Sequence, residues 1–188
     1  KEAVVISTLL GAGVSTWQAW QGRRHTERVL AQRMVLAAYC GMPIGLWIYV
    51  VADDKVLRFA LGVAVLIAVG LLAARIDLRH VGPGLDIGTG FISGILNTSL
   101  STNGPPLAFG LQARHLQPDA FRSTINTVFA CSNILGITLF IAAGKVTRDG
   151  VIAAAVALPA LFLGQFVGYP LRKHLNPERF RYLVLGLV

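Results

Sequence analysis

Residues 97–106 read NTSLSTNGPP, with apolar sequence on both sides. Asn97 and Asn103 offer amides, Thr98, Ser99, Ser101 and Thr102 offer hydroxyls, and Gly104 leads into a proline pair. Such groups donate hydrogen bonds without carrying charge. Gly104-Pro105-Pro106 reads as a helix start, because proline suits the first turn, where amide donors lack intrahelical partners. A helix N-terminus carries about half a positive charge and attracts anions. The chemistry on offer is reversible holding of an anion by neutral donors, weak enough to allow release. A second role stays open: the same side chains could merely satisfy the broken backbone of their own turn.

A second polar set follows. Ser123, Asn126, Thr127 and Asn133 fall near one face at helical spacing. They could line a cavity opposite the 97–106 stretch, with Asn126 and Thr127 as contacts, or they could glue neighbouring membrane helices together. Arg122 opens this segment, either as an interfacial anchor or as a charge that draws anions inward. Gln112, Gln165 and Tyr169 are weaker candidates with structural roles, and the four histidines fall in connectors. Cys40 and Cys131 sit in apolar windows and read as packed thiols. The sequence holds no nucleophile–base pair, metal-ligand cluster or nucleotide loop, so catalytic residues, metals and cofactors are not expected and the chain does not read as an enzyme.

The elements that must position these residues are apolar. Of 188 residues, 54% are hydrophobic and 14% charged, against about 25% charged in soluble domains; mean hydropathy is +0.63. Apolar segments are expected at about 3–21, 33–52, 56–74, 86–113, 119–143, 150–171 and from 179 onward. A bilayer core needs about 20 residues per crossing helix. The fold class is therefore an all-α integral membrane protein, a polytopic helical bundle, with residues 1–188 as one transmembrane domain. The net charge of +8 comes from bases gathered at the chain start and around short connectors. These read as topology signals and not as a nucleic-acid surface, so the lipid bilayer is the expected partner. A homo-oligomer is compatible with the sequence. No apolar segment is expected to bury an ionisable group, which disfavours proton coupling.

Two connectors hold four bases each: Arg23, Arg24, Arg28 and Arg33, then Arg172, Lys173, Arg179 and Arg181. Both should be cytoplasmic. Five segments lie between them, so one should not cross. The 86–113 segment, which contains the polar stretch, is the candidate: a re-entrant hairpin with arms at 86–97 and 105–116 and its tip near the midplane. A single kinked span is the alternative. Weak repetition accompanies this. Ser7-Thr8 resembles Ser123-Thr124, Pro43 and Gly45 resemble Pro159 and Gly164, and Arg58-Phe59 resembles Arg181-Tyr182, at offsets of 116 to 123 residues. Each repeat would be a hairpin plus about three crossings, which inverts the second copy relative to the first. Residues 1–84 would complete the first repeat and 85–188 form the second, with a first hairpin before Lys1 and more chain after Val188. By the repeat, Ser7 and Thr8 line the side of the site opposite Asn126 and Thr127.

The stretch GFISGILNTSLSTNGPPLAFGLQA, followed by FRSTINTVFACSNILG, resembles the TauE/SafE family of sulfite and organosulfonate exporters. A Gly-Pro-Pro turn before an apolar helix, with Phe121-Arg122 some fifteen residues later, carries the resemblance. Glycines common before that turn are here Asn97, Thr98, Ser101, Thr102 and Asn103. The resemblance implies a multi-pass carrier in the bacterial inner membrane that exports a small sulfur-containing anion. An anion channel of the same architecture, a carrier for a cation or neutral solute, and a membrane scaffold are the competing readings.

Overall fold

The computed structural model describes residues 1–73 and 82–174. Among the described residues the regular structure is helical: α1 (Glu2–Gly22), α2 (Arg28–Val51), α3 (Asp54–Ala73), α4 (Pro83–Leu100), α5 (Gly104–Ala113), α6 (Pro118–Ala142) and α7 (Arg148–His174). The expected segments at 3–21, 33–52, 56–74, 119–143 and 150–171 are α1, α2, α3, α6 and α7, displaced by a few residues. Arg28–Val51, Pro118–Ala142 and Arg148–Phe166 are long and apolar enough to cross a membrane. The segment from 179 and most of the 75–86 connector lie outside the described residues.

The 86–113 segment divides differently from expectation. The break comes at 101–103, and Asn97, Thr98 and Ser99 stay helical within α4. The Thr98 and Ser99 hydroxyls are satisfied without breaking the helix. Ser99 Oγ donates to the Ile95 carbonyl one turn back at 2.6 Å, and Thr98 Oγ1 donates across to the Met42 carbonyl, with the Gly94 carbonyl farther off at 3.3 Å. The arms are therefore unequal, about 27 Å and about 15 Å at 1.5 Å per residue. α5 is too short to span a bilayer core.

Helix directions follow from close contacts. A Cβ added at Gly94 would lie 2.1 Å from the Ala38 carbonyl oxygen, and one at Gly90 2.5 Å from that of Met34. Reciprocally, Cβ atoms at Gly41 and Gly45 would lie 2.2 Å from the carbonyl oxygens of Phe91 and Ile95. The helices α2 and α4 thus run parallel with their backbones touching along two Gly-xxx-Gly faces. Thr98 Oγ1 adds a 2.7 Å bond to the Met42 carbonyl. α6 runs antiparallel to α1, with Gly22 against Ser123 and Gly11 against Asn133. α7 runs parallel to α1, with Gly150 near Ile6 and Gly13 near Leu158.

One end of the bundle is rich in arginine. It holds the α1–α2 connector, the outer ends of α4 and α5, and the start of α6. Asp86 stands there in the first turn of α4, 1% exposed. Arg114 donates to its Oδ1 from Nε at 3.0 Å and Nη2 at 2.8 Å, and to the Gly82 carbonyl at 3.0 Å. Arg33 Nη1 lies 3.7 Å from Oδ2. These contacts join the two outer ends of the α4–α5 hairpin. They also correct the expectation that no apolar segment buries an ionisable group. Asp86 is buried because two arginines compensate its charge.

An apolar cluster sits at each end. Ala31, Met34, Leu107, Leu111 and Val128 pack near the arginine end. Val5, Tyr49, Leu57 and Phe140 pack near the opposite end, with the Tyr49 and Phe140 rings edge-to-face at 5.2 Å. Between them lies a buried polar band: Thr8, Ser15, Ser93, Asn97, Ser132 and Asn133.

Candidate binding cavity at the helix break

Leu100 ends α4, and Ser101 takes a left-handed conformation, φ 54° and ψ 32°. Its amide donates to the Asn97 carbonyl at 3.0 Å, and the Thr102 amide to that of Leu96 at 3.2 Å. These bonds satisfy the last carbonyls of α4. The chain then doubles back. Ser93 Oγ donates to the Asn103 carbonyl at 3.2 Å, so α5 begins about two turns below the top of α4. That level is mid-length on α2, since neighbouring Gly94 faces Ala38. Asn103 precedes the first residue of α5, yet its side chain makes no capping bond. Its Nδ2 is buried and without a hydrogen-bond partner among the described residues.

Beside this break is a cavity of about 320 Å³. α1 contributes Ser7, Gly11 and Ser15, the break contributes Ser101 and Asn103, and α6 contributes Asn126, Phe129 and Asn133. Among the described residues its lining combines these hydroxyls and amides with the apolar side chains of Val14 and Phe129 and includes no charged side chain. Ser7, Gly11 and Ser15 recur every four residues, which puts them on one helix face. Asn133 Nδ2 lies 3.4 Å from Ser15 Oγ, whose own proton goes to the Gly11 carbonyl at 2.5 Å. Thr8 Oγ1 donates to the Val4 carbonyl at 2.8 Å and meets Ser101 Oγ at 3.3 Å. With the Thr8 proton engaged, Ser101 is the natural donor in that contact.

The residues singled out in the sequence are distributed unevenly. Ser7, Ser101, Asn103 and Asn126 meet at this cavity. Ser99 and Thr102 line a second cavity beyond the break, together with Ser7 and Ser101. Gly104 starts α5, and a Cβ there would lie 3.8 Å from Phe129 Cζ. Thr98 is fully buried against α2. Asn97 is 1% exposed beside Thr8 and Gly136, its Nδ2 unpartnered among the described residues. Thr8 forms the wall and not the lining. Thr127 turns to a separate groove, where it meets Thr26 at 3.3 Å and donates to the Ser123 carbonyl at 2.8 Å. Arg122 is half-buried near the start of α6, at the arginine end. Sequence reasoning missed Ser15 and left Asn133 as a stripe residue. The four-residue spacing from Ser7 through Gly11 to Ser15 was the available signal.

A helical bundle with a half-open cavity at a broken helix, lined by neutral hydroxyls and amides beside apolar Val14 and Phe129, has the makings of a solute carrier. The chain belongs to the sulfite exporter TauE/SafE family of membrane transporters, whose model matches residues 1–188. It is similar to the probable inner membrane transporter protein TsaS of Comamonas testosteroni, 28% identical over 151 residues. That match covers 75% of this chain and 60% of the relative's length. No solved structure matches.

Proposed function

We propose that the chain forms part of a secondary carrier that exports a small sulfur-containing anion, of the sulfite or organosulfonate class, across the bacterial inner membrane. The observation that carries this reading is the 320 Å³ cavity at the helix break, lined by Ser7, Ser15, Ser101, Asn103, Asn126 and Asn133 without a formal charge. A buried Asn103 Nδ2 with no partner among the described residues is a donor awaiting an acceptor. An oxyanion supplies acceptors, and neutral donors let it go again. Residues 1–188 then act as one transmembrane domain.

The same reading makes α4–α5 a re-entrant hairpin. Supporting it, Asp86 and Arg114 hold both outer ends together. That end also carries Arg23, Arg24, Arg28 and Arg33, the expected cytoplasmic charges. An inverted repeat agrees with the pairing of helices. The expected counterparts α1 and α6 pack antiparallel, and the α1–α7 contact is matched by one between α6 and α2. Single cysteines at Gly84 and Gln117 should both be labelled from the cytoplasm alone, like one at Arg24; labelling Gln117→Cys from the periplasm would reject the hairpin.

The transport reading is tested with the full-length protein in liposomes. Sulfite and sulfoacetate should give saturable counterflow, and Asn103→Ala should weaken the apparent affinity about tenfold, the effect of one lost donor. Saturable flux with wild-type affinity in Asn103→Ala would move the site elsewhere. No flux of either anion would reject the substrate class.

A further inference from the structure

The binding cavity has a neighbour. A second cavity, of about 350 Å³, lies between the start of α1, α3 and the top of α4. Its lining includes Val4, Asp54, Leu57, Arg58, Leu61 and Thr102. The two cavities share two residues, Ser7 and Ser101. The helix break is divided between them: Ser99, Leu100 and Thr102 face the second cavity, and Asn103 faces the first. We propose that the two cavities are successive stations on one route, that the passage between them runs between Ser7 and Ser101, and that Arg58 receives an anion beyond it.

Three features support this. The partition is thin, because the hydroxyl contact between Thr8 and Ser101 is a long 3.3 Å bond and Ser7 beside it is exposed. It is also strained. Ser101 holds a left-handed conformation that non-glycine residues rarely adopt, and such outliers persist where the surroundings impose them. Finally, charge is asymmetric. Among the described residues the first cavity has no charged side chain, whereas the second has Lys1, Asp54 and Arg58; the Lys1 amino group lies 3.6 Å from Asp54, which leaves Arg58 exposed and without an ion pair or hydrogen bond. An anion leaving neutral donors would meet a cation on the far side of the break, at the end opposite the arginine-rich one. The role of Arg58 rests on the anion reading above; the passage does not.

Thiol accessibility tests both parts without relying on flux. The full-length protein, with its native cysteines replaced by serine, receives one cysteine at Asn126, in the first cavity alone, or at Leu61, in the second alone. Sulfonatoethyl and trimethylammonioethyl methanethiosulfonates are added from the Arg58 side. Both cysteines should react. Adding Ser7→Trp should slow labelling of Asn126→Cys at least tenfold and leave Leu61→Cys unchanged, and Ser7→Leu gives a milder form of the same block. Asn126→Cys that never reacts from this side, or reacts equally with Ser7→Trp, overturns the passage. Arg58→Gln should lower the ratio of anionic to cationic labelling at Leu61→Cys at least threefold, with Arg58→Lys restoring it. An unchanged ratio overturns the role of Arg58, while the passage and the substrate class stand or fall on their own measurements.

Discussion

The ion cluster at the base of the hairpin makes a sharp energetic prediction. Asp86 is 1% exposed and accepts two hydrogen bonds from Arg114, while Arg33 stands farther off at 3.7 Å. Arg114→Leu would strand a buried carboxylate with a single partner beyond hydrogen-bond reach. Removing one partner of a buried pair costs about 3–5 kcal/mol, and the remaining Arg33 places this case near the low end, about 3 kcal/mol. Asp86→Leu is milder. The side chains of Arg114 and Arg33 are 22% and 45% exposed and can turn their charged ends to water, so about 1 kcal/mol is expected. The double variant Asp86→Leu/Arg114→Leu removes the stranded charge altogether and should resemble Asp86→Leu. The assay is thermal unfolding of the full-length protein in detergent. At about 2–4 °C per kcal/mol for a chain of this size, Arg114→Leu should lower Tm by about 6–12 °C, and the second substitution should recover most of that loss. A double variant as unstable as Arg114→Leu alone would refute the reasoning, because the desolvated carboxylate could not then be the source of the loss.

Other perturbations address the seam, the break and the driving force. Gly94→Ala should abolish folded protein in a fluorescence-detected gel-filtration assay, because its Cβ would fall 2.1 Å from the Ala38 carbonyl oxygen, whereas Gly62→Ala, with nothing within 4 Å, should be silent. Ser101→Gly should raise Tm by a few degrees, since glycine adopts the left-handed conformation without strain, yet weaken anion binding through the lost hydroxyl. Thr127→Val, turned away from the cavity, should leave anion affinity unchanged in a thermal-shift titration with sulfite. Outward anion flux should follow an imposed potassium–valinomycin potential, worth about 2.3 kcal/mol per charge per 100 mV, and change little when a pH gradient is collapsed; indifference to voltage together with loss on collapsing the gradient would point to an obligatory proton.

Much of the scaffold was legible because apolar windows about 20 residues long leave few alternatives to helix. The ends of α1, α2, α3 and α6 fall close to the ranges read from hydropathy. The break was legible as a place but not as a shape. Polar residues at 97–99 were read as the end of a helix, although serine and threonine can return their protons to a carbonyl one turn back and remain helical. The burial of Asp86 at the start of the 86–113 segment was not foreseen, because its partners, Arg33 and Arg114, are 53 and 28 residues away and no local pattern joins them. Asn103 and Asn126 were legible as polar residues in apolar surroundings. Ser15 was not, because one serine in a helix acquires meaning only from the neighbour it faces, here Asn133 on α6.

The seam between α2 and α4 has a consequence for how such proteins diverge. At Gly41, Gly45, Gly90 and Gly94 the partner helix's backbone stands where any Cβ would go. Substitution at these positions has no graded middle ground, since even alanine overlaps a carbonyl. The cavity offers the opposite condition. Ser7 and Asn126 face open volume and can be exchanged for one another, or for smaller or larger neutral groups, at modest cost. Related chains that carry different solutes should therefore vary freely in the cavity lining while the four seam positions stay glycine. The capacity to acquire a new substrate would reside in side chains that the framework does not need.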